Sequence, residues 1–155
     1  MKELIVSFAN LLVVSLVVGV VFGTWLANNP FDLSVATYIE QQQQVIRALN
    51  TLMPILGAVG ILLTIISSFL ARDSCRTLYL LIAAIFCLVV AGLVTSFFNQ
   101  PINSQVMTWN AQAPPSNWME LRNEWWQWHT IRMIAAILAL SFLILATVVK
   151  RDVVK

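Results

Sequence analysis

Six residues near the C-terminal third carry the chemistry that this chain offers: Trp118, Arg122, Trp125, His129 and Arg132, with Trp109 shortly before them. His129 is the only histidine, and five of the six tryptophans lie between Trp109 and Trp128. Indole faces stack on rings, guanidinium groups pair with oxyanions or stack, and an imidazole moves a proton near neutral pH. Together they suit a flat, electron-rich or anionic molecule. Asn103 and Gln105 offer further hydrogen-bonding groups from the preceding segment.

Such a set acts together only if an element aligns it. Asn117-x-x-Glu120 reads as a capping-box-like helix start. No proline or glycine then interrupts the chain up to Lys150. The pattern predicts one helix over about 118–149, roughly 48 Å long. On it Trp118, Arg122, Trp125, His129 and Arg132 fall within an arc of about 80°. Ala136, Leu140 and Leu143 continue the same stripe into an apolar run, so the stripe is expected to face the protein interior. Asn117, Glu120, Asn123, Glu124 and Gln127 form the opposite, wet face. Trp126 and Trp128 read as outward belt residues. The same tryptophans, arginines and histidine also fit plain interfacial anchoring, and Arg122 also fits a pair with Asp32 or Glu40. Composition alone leaves both readings open.

The elements around this helix are membrane spans. Hydrophobic residues make up 59% of 155 residues and charged ones 10%, well below the ~25% charged of a soluble domain. Four windows have about the length that a bilayer core requires: Leu4–Ala27, Ala48–Ala71, Thr77–Phe98 and Met133–Val149. The chain is expected to be a single transmembrane domain over 1–155. Its fold class is all-α, an integral membrane four-helix bundle, with the second and fourth helices extended beyond the bilayer on the non-cytoplasmic side. An extramembrane cap then comprises 28–47 and 99–132. The first span is too long for a signal-peptide core and reads as an uncleaved helix. Lys2, Arg72, Arg76, Lys150, Arg151 and Lys155 fall on one side, and Arg47, Arg122 and Arg132 on the other. The excess of basic residues predicts a cell (plasma or inner) membrane protein with both termini cytoplasmic.

Local signals refine the layout. Asn28-Asn29-Pro30 ends the first span, and Asp32 or Ser34 caps the next helix. If that helix runs unbroken to Ala71, Pro54 should bend it. Gln41 to Gln44 form one turn of a solvated or inter-helix polar face. Arg72 to Arg76 make a tight turn, and Asn99-Gln100-Pro101 stops the third span. Asn10, polar at membrane depth, is expected to face the bundle and find a partner. Ser15, Gly19 and Gly23 have the spacing of a close helix contact. That contact serves either a homo-oligomer seam or the chain's own bundle, and three available partner helices favour the bundle.

Several function classes are excluded or weakened. No charge lies within any of the four apolar windows, which argues against an ion pathway or voltage sensor. One histidine cannot supply bis-histidine haem, and Cys75 and Cys87 suit neither an iron–sulfur cluster nor a disulfide framework. A copper site from His129 and Met107 would be ligand-poor. No metal and no cofactor is therefore expected. A net charge of +2 and the lack of a basic run give no reason to expect nucleic acid. Membrane lipid and a hydrophobic small molecule are the expected partners.

The run Pro101-Ile102-Asn103, Trp109, Trp118, Arg122, Trp125, His129 and Arg132 resembles the anthrone-oxygenase-like family of small four-helix membrane proteins. The glutamine-rich stretch up to Met53-Pro54 is similar too. The resemblance is sharpest over 101–132. It implies oxidation of an anthrone to an anthraquinone by molecular oxygen, without a recognised metal or flavin. His129 would then be the base, Arg122 or Arg132 would hold the oxyanion, and Asn103 would orient the substrate. Trp109, Trp118 and Trp125 would stack on its rings. The alternative is a non-enzymatic membrane module that binds lipid, quinone or a partner protein.

Overall fold

The structure, a computed structural model, describes residues 2–153, with side chains described over 3–149. Its elements are α1 (Lys2–Ala27), α2 (Val35–Leu49), α3 (Leu52–Leu70), α4 (Cys75–Val94), a π-helical turn (Thr95–Asn99), α5 (Gln100–Val106) and α6 (Trp118–Val153). Four helical stretches are long and apolar enough to cross a membrane: α1, α3, the continuous α4–α5 rod and α6. They pack as a ring in which α1 meets α3 and α6, and α4 meets α3 and α6. Of the six basic residues expected on the cytoplasmic side, Lys2, Lys150, Arg151 and Lys155 have side chains outside the described residues.

Small residues set the tightest seams. Ala84 of α4 and Ala136, Ala139 and Ala146 of α6 are buried in one cluster with Leu81, Leu88 and Leu143. Without a hydrophobic drive between lipid-bathed helices, close backbone approach is what holds them. Gly60 plays that part between α3 and α1, since a Cβ there would sit 3.1 Å from Val14 Cγ2. Asn10 is buried and accepts from Thr64 Oγ1 at 3.1 Å, so the polar residue at depth has its partner. The Ser15, Gly19, Gly23 series differs from the expected packing within the bundle. Ser15 and Gly19 are exposed, and a Cβ on Gly19 or Gly23 would meet nothing within 4 Å. Val14, Val18 and Val21 turn inward instead, and the small-residue face is left over.

Two expected boundaries move. The second helix does not run through Pro54 with a bend. It breaks at Asn50-Thr51, and Pro54 falls in the first turn of α3, where a missing N–H leaves no bond unmade. The third helix does not stop at Asn99–Pro101. It widens into the π-helical turn, where the Gln100 N–H bonds to Thr95 O, and continues as α5 to Val106. A proline ring clashes with the carbonyl four residues back. The wider π turn shifts that carbonyl, so Pro101 is accommodated in the first turn of α5.

The cap is built on α2. Ser34 caps it, accepting from the Thr37 N–H at 3.2 Å, and Tyr38, Ile39, Gln42 and Ile46 form its buried face. The glutamine turn is an inter-helix one: Gln41 donates to Asn28 Oδ1 at 2.8 Å, and Gln43 to the carbonyls of Val106 and Trp109. These bonds tie α2 to α1 and to the end of α5. Helix α6 opens on backbone bonds, Trp118 N–H to Pro115 O and Leu121 N–H to Asn117 O, rather than on the expected side-chain box.

Candidate functional site

Helix α6 is continuous, and its rotation is the expected one. Arg122, Trp125, His129, Ala136 and Leu143 are buried, while Asn117, Glu120, Asn123, Glu124 and Gln127 are exposed. His129 is fully buried. Its ring stacks on Trp125 with centroids 4.8 Å apart and planes 8° from parallel, and Trp126 lies 6.0 Å away. Arg132 Nη2 meets His129 Nδ1. A guanidinium only donates, so Nδ1 must be the acceptor and the neutral ring carries its proton on Nε2. That Nε2 makes no well-formed hydrogen bond, although the Val21 backbone lies beside the ring. Arg132 also donates to Thr95 Oγ1 at 3.4 Å.

The π turn and α5 hold the other side. Asn99 is fully buried and donates to the Trp125 carbonyl at 3.1 Å. Asn103 accepts from Trp125 Nε1 at 2.8 Å and donates to Asn50 Oδ1 at 3.3 Å. Thr95, Asn99 and Asn103 therefore form a four-residue-spaced polar row that grips α6 at Arg132 and Trp125.

Two voids adjoin this row. The larger, about 250 Å³, lies among α1, α3, α4 and α6. Its walls are mostly apolar and small, including Gly57, Ala58, Ala91 and Gly92. The smaller, about 60 Å³, lies beneath α2 and is lined by Gln42, Asn50, Thr95, Asn103, Trp125 and Arg132 among others. Val21, Met53, Pro54, Thr95 and Arg132 line both. Arg132 is therefore the cation shared by a mostly apolar chamber and a smaller one that carries several amide groups. His129 lines neither void and touches the residue that lines both.

The remaining predicted residues stand elsewhere. Arg122 is 9% exposed and lies over the rings of Phe31 and Trp118, 5.2 and 5.1 Å from their centroids. It donates to Asn123 Oδ1 and, at 3.5 Å, to Pro30 O. No hydrogen bond or salt bridge to Asp32 or Glu40 is among these partners. Tyr38 stacks obliquely on Trp118. Burial pushes its hydroxyl well above the ordinary value, offset in part by the Arg122 charge. Trp109 packs beside the Ile46, Ile102, Val106 and Trp125 cluster and offers its carbonyl to Gln43. Trp118, Trp109 and Arg122 line neither void. Trp126 is not the plain belt residue expected. It stacks on Trp25 at 6.3 Å, meets Phe31 edge-on and covers His129. Trp128 stacks on Phe98 at 3.7 Å.

Sequence reasoning missed Gln42, Thr95 and Asn99. The last two share the four-residue spacing of Asn103, a signal hidden by reading Pro101 as a stop. Gln42 shares a face with Tyr38 and Ile46, but in a run of four glutamines nothing singles it out. Among the described residues no three His, Cys, Asp or Glu side chains gather as a metal site.

Comparison with known proteins bears on this geometry. A protein-family model described as anthrone oxygenase matches residues 43–142. That segment holds every predicted site residue from Asn103 to Arg132. No curated protein and no solved structure matches.

Proposed function

The chain belongs to the anthrone oxygenase family, and on that footing we propose that it oxidises a hydrophobic, ring-bearing ketone with molecular oxygen. In this reading it works within the cell membrane, with both termini on the cytoplasmic side. The observation that carries the reading is the mostly apolar void of about 250 Å³ that has Arg132 among its lining residues. An apolar cavity of about 150 Å³ already holds benzene, so this one has room for more than one ring. A cation beside apolar walls stabilises an oxyanion more than it would in water.

The reaction removes two hydrogens from a ring methylene flanked by aromatic rings. Loss of one proton gives an enolate, whose oxyanion pairs with Arg132. The enolate carbon then reacts with O2. One oxygen atom becomes the new carbonyl and the other leaves as water, so that CH2 plus O2 yields C=O plus H2O. His129 is the proposed base. Its Nδ1 lone pair is held by Arg132. An Arg132 that turns to the ketone oxygen of the substrate releases that lone pair, and the same contact then holds the oxyanion as the proton leaves. Trp125 and Asn103 shape the polar end, and Trp109, Trp118 and Arg122 support it from the cap.

A second reading, a non-enzymatic binder of a quinone or lipid, draws on one observation: His129 lines neither void. Turnover decides between them. Purified protein in detergent with anthrone and O2 is expected to consume one O2 per anthraquinone formed, and Arg132→Met is expected to lose this activity. Binding of anthrone with no oxygen uptake above the uncatalysed rate would reject the enzyme and leave the binder.

A further inference from the structure

Beneath α2 the structure holds two buried donors without acceptors. Gln42 is 5% exposed, and its Nε2 has no hydrogen-bond partner. Arg132 Nε is likewise buried and unpartnered. Both residues line the same void of about 60 Å³. Burying an amide donor without an acceptor costs free energy, and folded proteins leave few such groups unmatched. Two such donors on residues that line one small chamber make it a place where an acceptor on a ligand would be matched. The terminal amide of a glutamine turns through a broad, two-fold torsion, so its NH2 group can present to the chamber without moving the helix.

The chamber adjoins the larger apolar one through shared walls at Val21, Met53, Pro54, Thr95 and Arg132. The two differ in chemistry. Gly57 and Gly92 line the large chamber and leave open space where a Cβ would stand, with no atom within 4 Å, and its walls are mostly hydrocarbon. The small one carries amide, hydroxyl and guanidinium groups and suits one oxygen substituent.

We propose that Gln42 is a substrate-binding residue, and that it donates with Arg132 to a ketone or enolate oxygen on a fused-ring ligand whose hydrocarbon body fills the void beside Gly57 and Gly92. This deepens the oxygenase reading and rests on it for the ligand class. It adds a determinant from α2, one residue ahead of the segment that the family model matches, and it turns α2 into a specificity element as well as a cover. A ring hydrocarbon without oxygen gains nothing from Gln42. A ring ketone does, and a ketone whose oxygen is the only polar group gains most.

The test uses the full-length protein in detergent and two probes of matching shape, anthrone and anthracene, followed by quenching of tryptophan fluorescence without O2. Three proteins are compared: wild type, Gln42→Glu and Gly57→Leu, each checked by circular dichroism. Gln42→Glu keeps the shape but replaces the donor with an acceptor that repels an oxyanion. A lost hydrogen bond that leaves a buried group unmatched corresponds to about tenfold or more in affinity. Gln42→Glu is therefore expected to weaken anthrone binding at least about tenfold and to leave anthracene binding as it was. Gly57→Leu is expected to weaken both probes. Equal anthrone affinity in wild type and Gln42→Glu, with Gly57→Leu still weakening both, overturns the role of Gln42 and leaves the ring chamber standing. Equal loss of both probes in Gln42→Glu shows a structural role and overturns the proposal too. Failure of wild type to bind anthrone overturns the chamber and the proposal together.

Discussion

Arg132 donates to Nδ1 of His129, one turn before it on α6. The histidine is thus held as an acceptor by the same cation that faces both voids. A ligand oxygen that drew Arg132 Nη2 away from His129 would free the Nδ1 lone pair, so that a change at one residue would alter the other. That coupling distinguishes this pair from two interfacial anchors, which would each meet headgroups alone.

His129→Ala is expected to abolish anthrone oxidation while the protein still inserts and folds. His129→Phe sharpens the test, because it keeps a ring stacked on Trp125 and removes the acceptor nitrogen. Both variants should lose turnover, with helicity by circular dichroism close to wild type. Turnover that persists in His129→Phe would remove the imidazole from the mechanism.

Arg132→Met is expected to lower kcat by about 10²–10³, the usual loss when an oxyanion donor is removed from a dry site. Arg132→Lys should recover only part of it. An ammonium keeps the charge, but it lacks the fork that reaches His129 and Thr95 together. The readout is oxygen uptake under saturating anthrone. Full activity in Arg132→Met would end the oxyanion assignment.

Asn103→Leu removes the acceptor of the buried Trp125 indole N–H. An orphaned buried donor costs about 1–3 kcal/mol. Trp125→Phe removes the donor, so the double variant Asn103→Leu/Trp125→Phe should be less destabilised than the sum of the two single changes. Unfolding in mixed detergent measures this. Strict additivity would show that the contact contributes nothing.

Arg122→Gln is expected to act mainly on stability. Its guanidinium covers Phe31 and Trp118, and cation–π contacts are worth about 0.5–2 kcal/mol each. The cap should melt earlier, and kcat should fall less than in Arg132→Gln. A larger kcat loss at Arg122 than at Arg132 would reverse the order of the two arginines.

The layout of the bundle was legible because burial in lipid imposes length and periodicity on a sequence. Four apolar windows, the capping serine before α2 and the inward arc of α6 all follow from local rules. The helix ends near proline were less legible. Pro54 and Pro101 both read as interruptions, yet one opens α3 and the other follows a π turn that absorbs it. Which outcome a proline takes depends on backbone bonds several residues away, and those depend on the neighbouring helices. The small-residue face of α1 was misread for a related reason. Spacing shows that a face is smooth, and packing decides whether any helix uses it.

The sequence alone determined that rings, cations and one imidazole share a helix face and that this face turns inward, because a 3.6-residue period and an adjoining apolar run admit one rotation. Only the tertiary structure separated Arg132 from Arg122, setting one at two voids and the other in an aromatic stack 10 positions earlier. Voids form where helices from distant parts of the chain fail to fill the space between them. Gly57, Gly92 and Gln42 lie far apart in sequence, and no local pattern records that they border adjoining chambers.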